Sequence, residues 1–230
     1  MESDHDLRDF DGVVRLFPLP GVVLFPHVVL PLHVFEPRYR QMTEDALAGD
    51  GLVTMVMIRP GHEHEQPGDP PIEPVGCLGR ILQHERLPDG RFNFLLLGRR
   101  RVRLARELPA AGRLYRRAEA EILDDFDAVD PAGPLRDDLI RLFRSRVESE
   151  GRLDPEMATL LESSLPIGVL TDIVAHALGL SATVQQSFLA EADPERRALG
   201  LIALLRANPG LGDPKAPAGS REFPPPFSSN

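Results

Sequence analysis

The side chains best suited to chemistry are the histidines, the single cysteine and the arginines, and their spacing decides what each can do. His62-Glu63-His64 has the layout of paired metal ligands, with His84 or Cys77 as further donors. A solvated polar loop contains such a pair just as readily, and no regular four-ligand spacing accompanies it. The sequence therefore implies no bound metal and no cofactor. His27 and His33 stand among prolines and apolar residues. No serine or cysteine nucleophile is placed to use either as a base, so both read as packed or strand-edge histidines. Cys77, beside a glycine in an apolar stretch, reads as a small buried hydrophobe. Arg99, Arg100, Arg101, Arg103 and Arg106 form the densest basic cluster. Strand alternation puts Arg99, Arg101 and Arg103 on one face, with Arg100, Val102 and Leu104 on the other. Such a row either pairs with carboxylates to brace a strand or offers a face to RNA. The net charge of −9 favours bracing, because non-specific nucleic-acid affinity comes mostly from phosphate neutralisation.

Lys215 is the only lysine; the rest of the 26 basic residues are arginine. A phosphate-cradling loop needs Gly-Lys-Ser/Thr at a helix start, and Lys215 sits between Pro214 and Ala216. A Ser–Lys dyad needs a buried lysine whose pKa can fall, which a Pro-rich stretch does not supply. No nucleophile, base and orienting group assemble into one set. The sequence reads as non-enzymatic. Aromatic residues offer a different chemistry. Phe25, Phe35, Tyr39, Phe92 and Phe94 could line an apolar groove for extended polypeptide, which commonly adds as a strand to a sheet edge. Phe223-Pro224-Pro225-Pro226-Phe227 has the composition of a polyproline docking motif, and also of a disordered terminus.

These residues need elements to position them. From Leu16 to Arg40, prolines at 18, 20, 26, 31 and 37 forbid a helix through Pro31, while Val, Leu and Phe still demand burial. Two extended segments, Val13–Leu19 and Val28–Phe35, follow from that conflict. Pro37 suits the first turn of a helix carrying Tyr39, Met42, Ala46 and Leu47, stopped at Gly49. Leu52–Ile58 and Val75–Leu87 read as strands, with Pro88-Asp89-Gly90 a turn. Arg91–Glu107 resumes as one bent strand or two, with Gly98 a candidate bulge, and Arg116–Leu123 follows. About six strands, one early helix and no alternating βαβ rhythm predict a mostly antiparallel barrel or curled sheet. Beyond Asp130 the pattern turns helical. Asp130-Pro131, Asp154-Pro155 and Asp193-Pro194 each place a capping acid before a proline. Apolar stripes recur at Leu135, Leu139, Leu142 and Phe143; at Leu170, Ile173, Val174, Ala177 and Leu178; at Val184, Phe188 and Leu189; and at Leu199, Ile202 and Leu205. They predict about four or five short amphipathic helices. The expected organisation is a flexible N-terminus (1–12), a β-rich subdomain (13–125), a helical bundle (130–207) and a disordered Pro/Gly/Ser-rich tail (208–230), an α+β architecture.

Hydrophobic content of 42% with 27% charged is that of a globular domain. No apolar run approaches the roughly 18 residues of a membrane helix. One cysteine excludes an internal disulfide. With an acidic start lacking a secretory layout, the expectation is a cytoplasmic protein.

Several motifs then fall into one order. Phe17-Pro18-Leu19, Phe25-Pro26 and Leu30-Pro31-Leu32-His33-Val34-Phe35-Glu36-Pro37-Arg38-Tyr39 resemble the opening of the Lon N-terminal, substrate-binding domain. Val75-Gly76, Ile81, Leu87-Pro88-Asp89-Gly90 and Gly98-Arg99-Arg100-Arg101-Val102-Arg103 continue the resemblance, as do Leu165-Pro166, Leu170–Ala175, Gln186, Phe188-Leu189-Ala190-Glu191 and Arg196-Arg197-Ala198-Leu199. The resemblance covers 13–207. It implies a PUA-like β pseudo-barrel followed by a C-terminal helical bundle. It also implies binding of unfolded or tagged polypeptide, with Arg101 matching an arginine that holds the β-domain together. In full-length Lon proteases this region precedes an ATPase and a protease domain, which this sequence does not contain. The expected role is a non-catalytic polypeptide-binding module, delivering clients to a separate protease or chaperone. The alternative is an RNA-binding PUA-like module using the arginine strand.

Overall fold

A computed structural model describes residues 10–65, 68–125 and 133–207. The chain divides into two compact units that part after Leu123. The predicted flexible N-terminus (1–9 of it), Asp130 as a helix cap and the 208–230 tail with its Phe-Pro-Pro-Pro-Phe motif lie outside the described residues.

The first unit carries six strands: β1 (Val13–Leu19), β2 (Val29–Val34), β3 (Leu52–Met57), β4 (Val75–Arg86), β5 (Phe92–Leu108) and β6 (Arg117–Leu123). They pair in the order β2-β5-β4-β3-β1-β6, and β5 also pairs with β6. Pairing therefore returns on itself through five strands, with β2 added outside on β5. β1 runs parallel to β3; the other pairings are antiparallel. Proline fits these strands because each one sits where no ladder donor is needed. Pro18 lies beyond the β1–β6 pairing, and its carbonyl accepts a hydrogen bond from Tyr39 Oη at 3.1 Å. Pro31 lies on the end strand. The core joins Val14, Leu16, Leu52, Val56, Leu78, Val102 and Ala118 from the strands of that ring with Ile58 just past β3.

The connection through Val23, Leu24 and Phe25 is buried, which proline-rich loops seldom are. Gly98 explains how. A Cβ there would collide with the Phe25 carbonyl oxygen, so glycine lets this connection cross β5 backbone to backbone. The bulge expected near Gly98 is its neighbour: Gly79 pairs Gly98 and Leu78 pairs Arg100, leaving Arg99 as the extra residue. Helix α1 (Pro37–Leu47) buries Tyr39, Met42, Thr43 and Ala46, with Phe17 and Tyr39 rings 4.5 Å apart fixing it on β1.

The second unit carries five helices: α2 (Pro134–Ser149), α3 (Pro155–Glu162), α4 (Ile167–Ala177), α5 (Ala182–Ala190) and α6 (Pro194–Ala207). Asp154 Oδ1 accepts from Met157 N at 2.8 Å, and Asp193 Oδ1 from Glu195 N at 2.9 Å, as the Asp-Pro motifs predicted. α2 begins at Pro134 with Gly133 at the cap. The stripe predicted for α6 is rotated. Ile202 is buried as expected, but Leu199 is 57% exposed and the helix buries Arg197, Ala198 and Leu201 beside Ile202. Arg197 forces that rotation. Its side chain is fully buried, donating bidentately to Asp125 at 2.6 and 2.7 Å and to Thr171 Oγ1 at 3.0 Å. A buried guanidinium is tolerated only with such a set of acceptors, so it fixes which face of α6 turns inward.

Candidate functional site

β2 ends the strand order and pairs with β5 alone among the named strands, from Val29↔Leu97 to Val34↔Phe92. Val28 O accepts from Gly98 N, so the two-residue period turns the backbone groups of Leu30, Leu32 and Val34 toward β5. Those of Val29, Pro31 and His33 turn away from it. The side chains alternate as well. Leu32 and Val34 are buried, whereas Val29 is 40% exposed and Phe35, just past the strand, is 60% exposed. A sheet edge with outward backbone groups and large exposed apolar side chains can receive an extended chain.

His33 organises the centre of this edge. Its Nδ1 lies 2.7 Å from Asn93 Oδ1, and Arg91 Nη1 lies 3.4 Å from Nε2. An amide oxygen can only accept, so His33 Nδ1–H donates to Asn93. Phe35 stacks on that ring at 6.2 Å. The strand thus presents Phe35 on a support already held in place.

The other aromatic candidates are inside. Phe25, Phe92, Phe94 and Tyr39 are all at most 3% exposed, so they pack the unit and do not line a groove. Burial pushes the Tyr39 phenol up to about 12. The arginine row is not one face either. The bulge at Arg99 breaks the alternation, Arg101 is buried beside Val102, Arg103 is exposed, and Arg106 pairs with Glu119. A buried Arg101 suits a bracing role and cannot serve a nucleic-acid surface.

The remaining donors are scattered. His62 Nδ1, just before the one-turn 3-10 helix Glu63–Glu65, meets Glu65 Oε1 at 2.6 Å, His84 is exposed on β4, and Cys77 is buried with Sγ 3.7 Å from Leu78 O. Among the described residues no three His, Cys, Asp or Glu side chains converge as metal ligands. His27 is exposed, at φ 67°. A cleft beside Tyr39 is lined by Arg38, Asp69, Leu114 and Arg116, but Arg38 pairs with Glu36 and Arg116 with Glu107. Its two arginines are already matched.

Sequence reasoning missed Arg91, Asn93 and Val29. Finding the first two required the β2–β5 register, which places Asn93 opposite His33.

Comparison with known proteins agrees with this architecture. The Lon protease of Trichlorobacter lovleyi is 29% identical over 201 residues, 85% of this chain and 24% of that protein. The Lon protease of Xanthomonas oryzae is 28% identical over 83% of the chain and 22% of its own length. The chain thus spans under a quarter of the length of these curated relatives. Among solved structures, a Lon N-terminal domain protein from Xanthomonas campestris superposes with a TM-score of 0.63 at 26% identity, covering 83% of this chain and 97% of that one. The N-terminal domain of a Mycobacterium avium complex Lon protease shares the fold, with a TM-score of 0.66 at 16% identity. The pattern of the ATP-dependent protease La (LON) substrate-binding domain matches residues 13–207, and the chain belongs to that family.

Proposed function

We propose that this chain is a non-catalytic module that binds unfolded or exposed polypeptide segments, which add as a strand along β2. The observation that carries this reading is the end strand itself, with Phe35 60% and Val29 40% exposed beside outward backbone groups. Main-chain hydrogen bonds would supply sequence-tolerant affinity and Phe35 an apolar contact. His33 holds Phe35 in place, and Pro31 keeps the edge from pairing indiscriminately with other strands. In this reading the β-rich part over 13–125 is a PUA-like pseudo-barrel that displays the edge, and 130–207 is a helical bundle. The ring of strand pairings and the family membership support the first label; the buried Arg197 network and capped helices support the second. Delivery of bound clients to a separate protease or chaperone in the cytoplasm extends the same proposal.

The test is fluorescence anisotropy with a labelled, permanently unfolded polypeptide at low and moderate salt. Saturable binding that survives moderate salt supports the reading; no binding at either salt refutes it. A native pulldown that recovers neither protease nor chaperone would remove the delivery step alone.

A further inference from the structure

The end of β2 lies beside the β4–β5 turn, and among the described residues one cation there has no counter-charge. Arg40, on α1, lays its guanidinium over Gly90 so closely that a Cβ at that position would collide with it. Gly90 is buried under it and holds φ +81°. Arg91, the next residue, reaches His33, and His33 stacks with Phe35. Arg40, Arg91, His33 and Phe35 thus form one continuous patch at this end of the proposed binding edge.

Three carboxylates should neutralise Arg40 by spacing: Glu36 and Glu44, four residues away on either side along α1, and Asp89, next to Gly90. Each is taken by another arginine. Glu36 pairs with Arg38 at 2.9 Å, Glu44 with Arg86 at 3.0 Å, and Asp89 with Arg91 at 2.6 Å. The Arg40 amide donates to Glu36 O at 2.9 Å, but among the described residues its guanidinium makes no hydrogen bond or ion pair. Arg40 is half-buried, with Nη2 and Cζ the parts of its planar group nearest the turn, so the guanidinium is partly desolvated without a bound acceptor.

From this charge pattern we infer that the β2 edge selects polypeptide segments that present a carboxylate next to an apolar side chain. Phe35 takes the apolar group and Arg40 the carboxylate. This selectivity rests on the polypeptide-binding reading and sharpens it. The carboxylate is an internal Asp or Glu side chain or the free C-terminus of a segment. Both offer the same acceptor to a guanidinium.

The test uses the full chain and four labelled ten-residue peptides of Val, Thr and Phe. One carries a single central Asp, one Asn in its place, both C-terminally amidated; the third is the Asn peptide with a free C-terminus, and the fourth places Asp remote from any apolar residue. The expected result is Asp or free-acid binding about fivefold tighter than the amidated Asn peptide, with no gain for the remote Asp. In Arg40→Met, whose stem still covers Gly90, the gain is expected to vanish while Asn-peptide binding is unchanged. An Asp gain that persists in Arg40→Met, or equal binding of all four peptides to the wild type, overturns the selectivity and leaves the polypeptide-binding reading intact. Failure of every peptide to bind overturns both. The larger of the Asp and free-acid gains identifies the carboxylate source.

Discussion

Phe35 and Tyr39 lie four residues apart in one proline-punctuated segment, yet one faces solvent and the other is buried. Their fates set opposite expectations. Phe35→Ser should weaken unfolded-polypeptide binding about fivefold or more, since burying a phenylalanine is worth ~1.5–3 kcal/mol, and leave thermal stability nearly unchanged. Anisotropy and a melting curve on the same sample check both. Tyr39 is neutral in the fold well above its ordinary range, at about 12. Its contribution is present below pH 10 and lost as pH rises from 10 towards 12, which alkaline urea titrations would register. His176 behaves in the opposite direction. Half-buried on α4 with Nδ1 lacking a hydrogen-bond partner among the described residues, its pKa is lowered by desolvation. The unfolded chain binds the proton more readily, so stability is held above pH 6.5 and falls as pH drops below it. His176→Asn should flatten that acid-side slope in urea midpoints compared between pH 7.5 and 5.5.

At the scale of elements, the crossing at Gly98 and the Arg197 network carry more than their surroundings suggest. Gly98→Ala should cost about 2 kcal/mol or more, because the Phe25 carbonyl cannot move without disturbing β5. Arg197→Met should destabilise by about 3 kcal/mol, leaving Asp172 buried without its guanidinium; chemical denaturation measures each. The strands and the early helix were legible in the sequence because proline, alternation and turn chemistry agree locally. Val13–Leu19 and the start of α1 at Pro37 are cases in point. The α6 stripe was not, because hydrophobicity alone points to Leu199 and cannot anticipate a buried arginine satisfied by residues up to 72 positions away. The site was legible only in part. His33 and Phe35 stand out by type, but whether an aromatic is core or surface depends on register. Phe92 and Phe94 are indistinguishable from Phe35 until β5 is paired on both sides.

For the whole molecule, the family match spans nearly all described residues, and the chain carries a net charge of −9. Binding that depended on general electrostatics would repel acidic clients. A sheet edge avoids this, because main-chain pairing is indifferent to net charge and Phe35 supplies a local apolar contact. Where an unfolded chain docks therefore decides between edge pairing and any other mode. The most direct measurement is residue-resolved amide hydrogen exchange of the protein with and without a saturating unfolded polypeptide. The prediction is new protection at the outward amides of Val29 and His33, with the helices of 133–207 unchanged. Saturable binding that leaves Val29 and His33 exchanging at their free rates, and protects another surface, would contradict it.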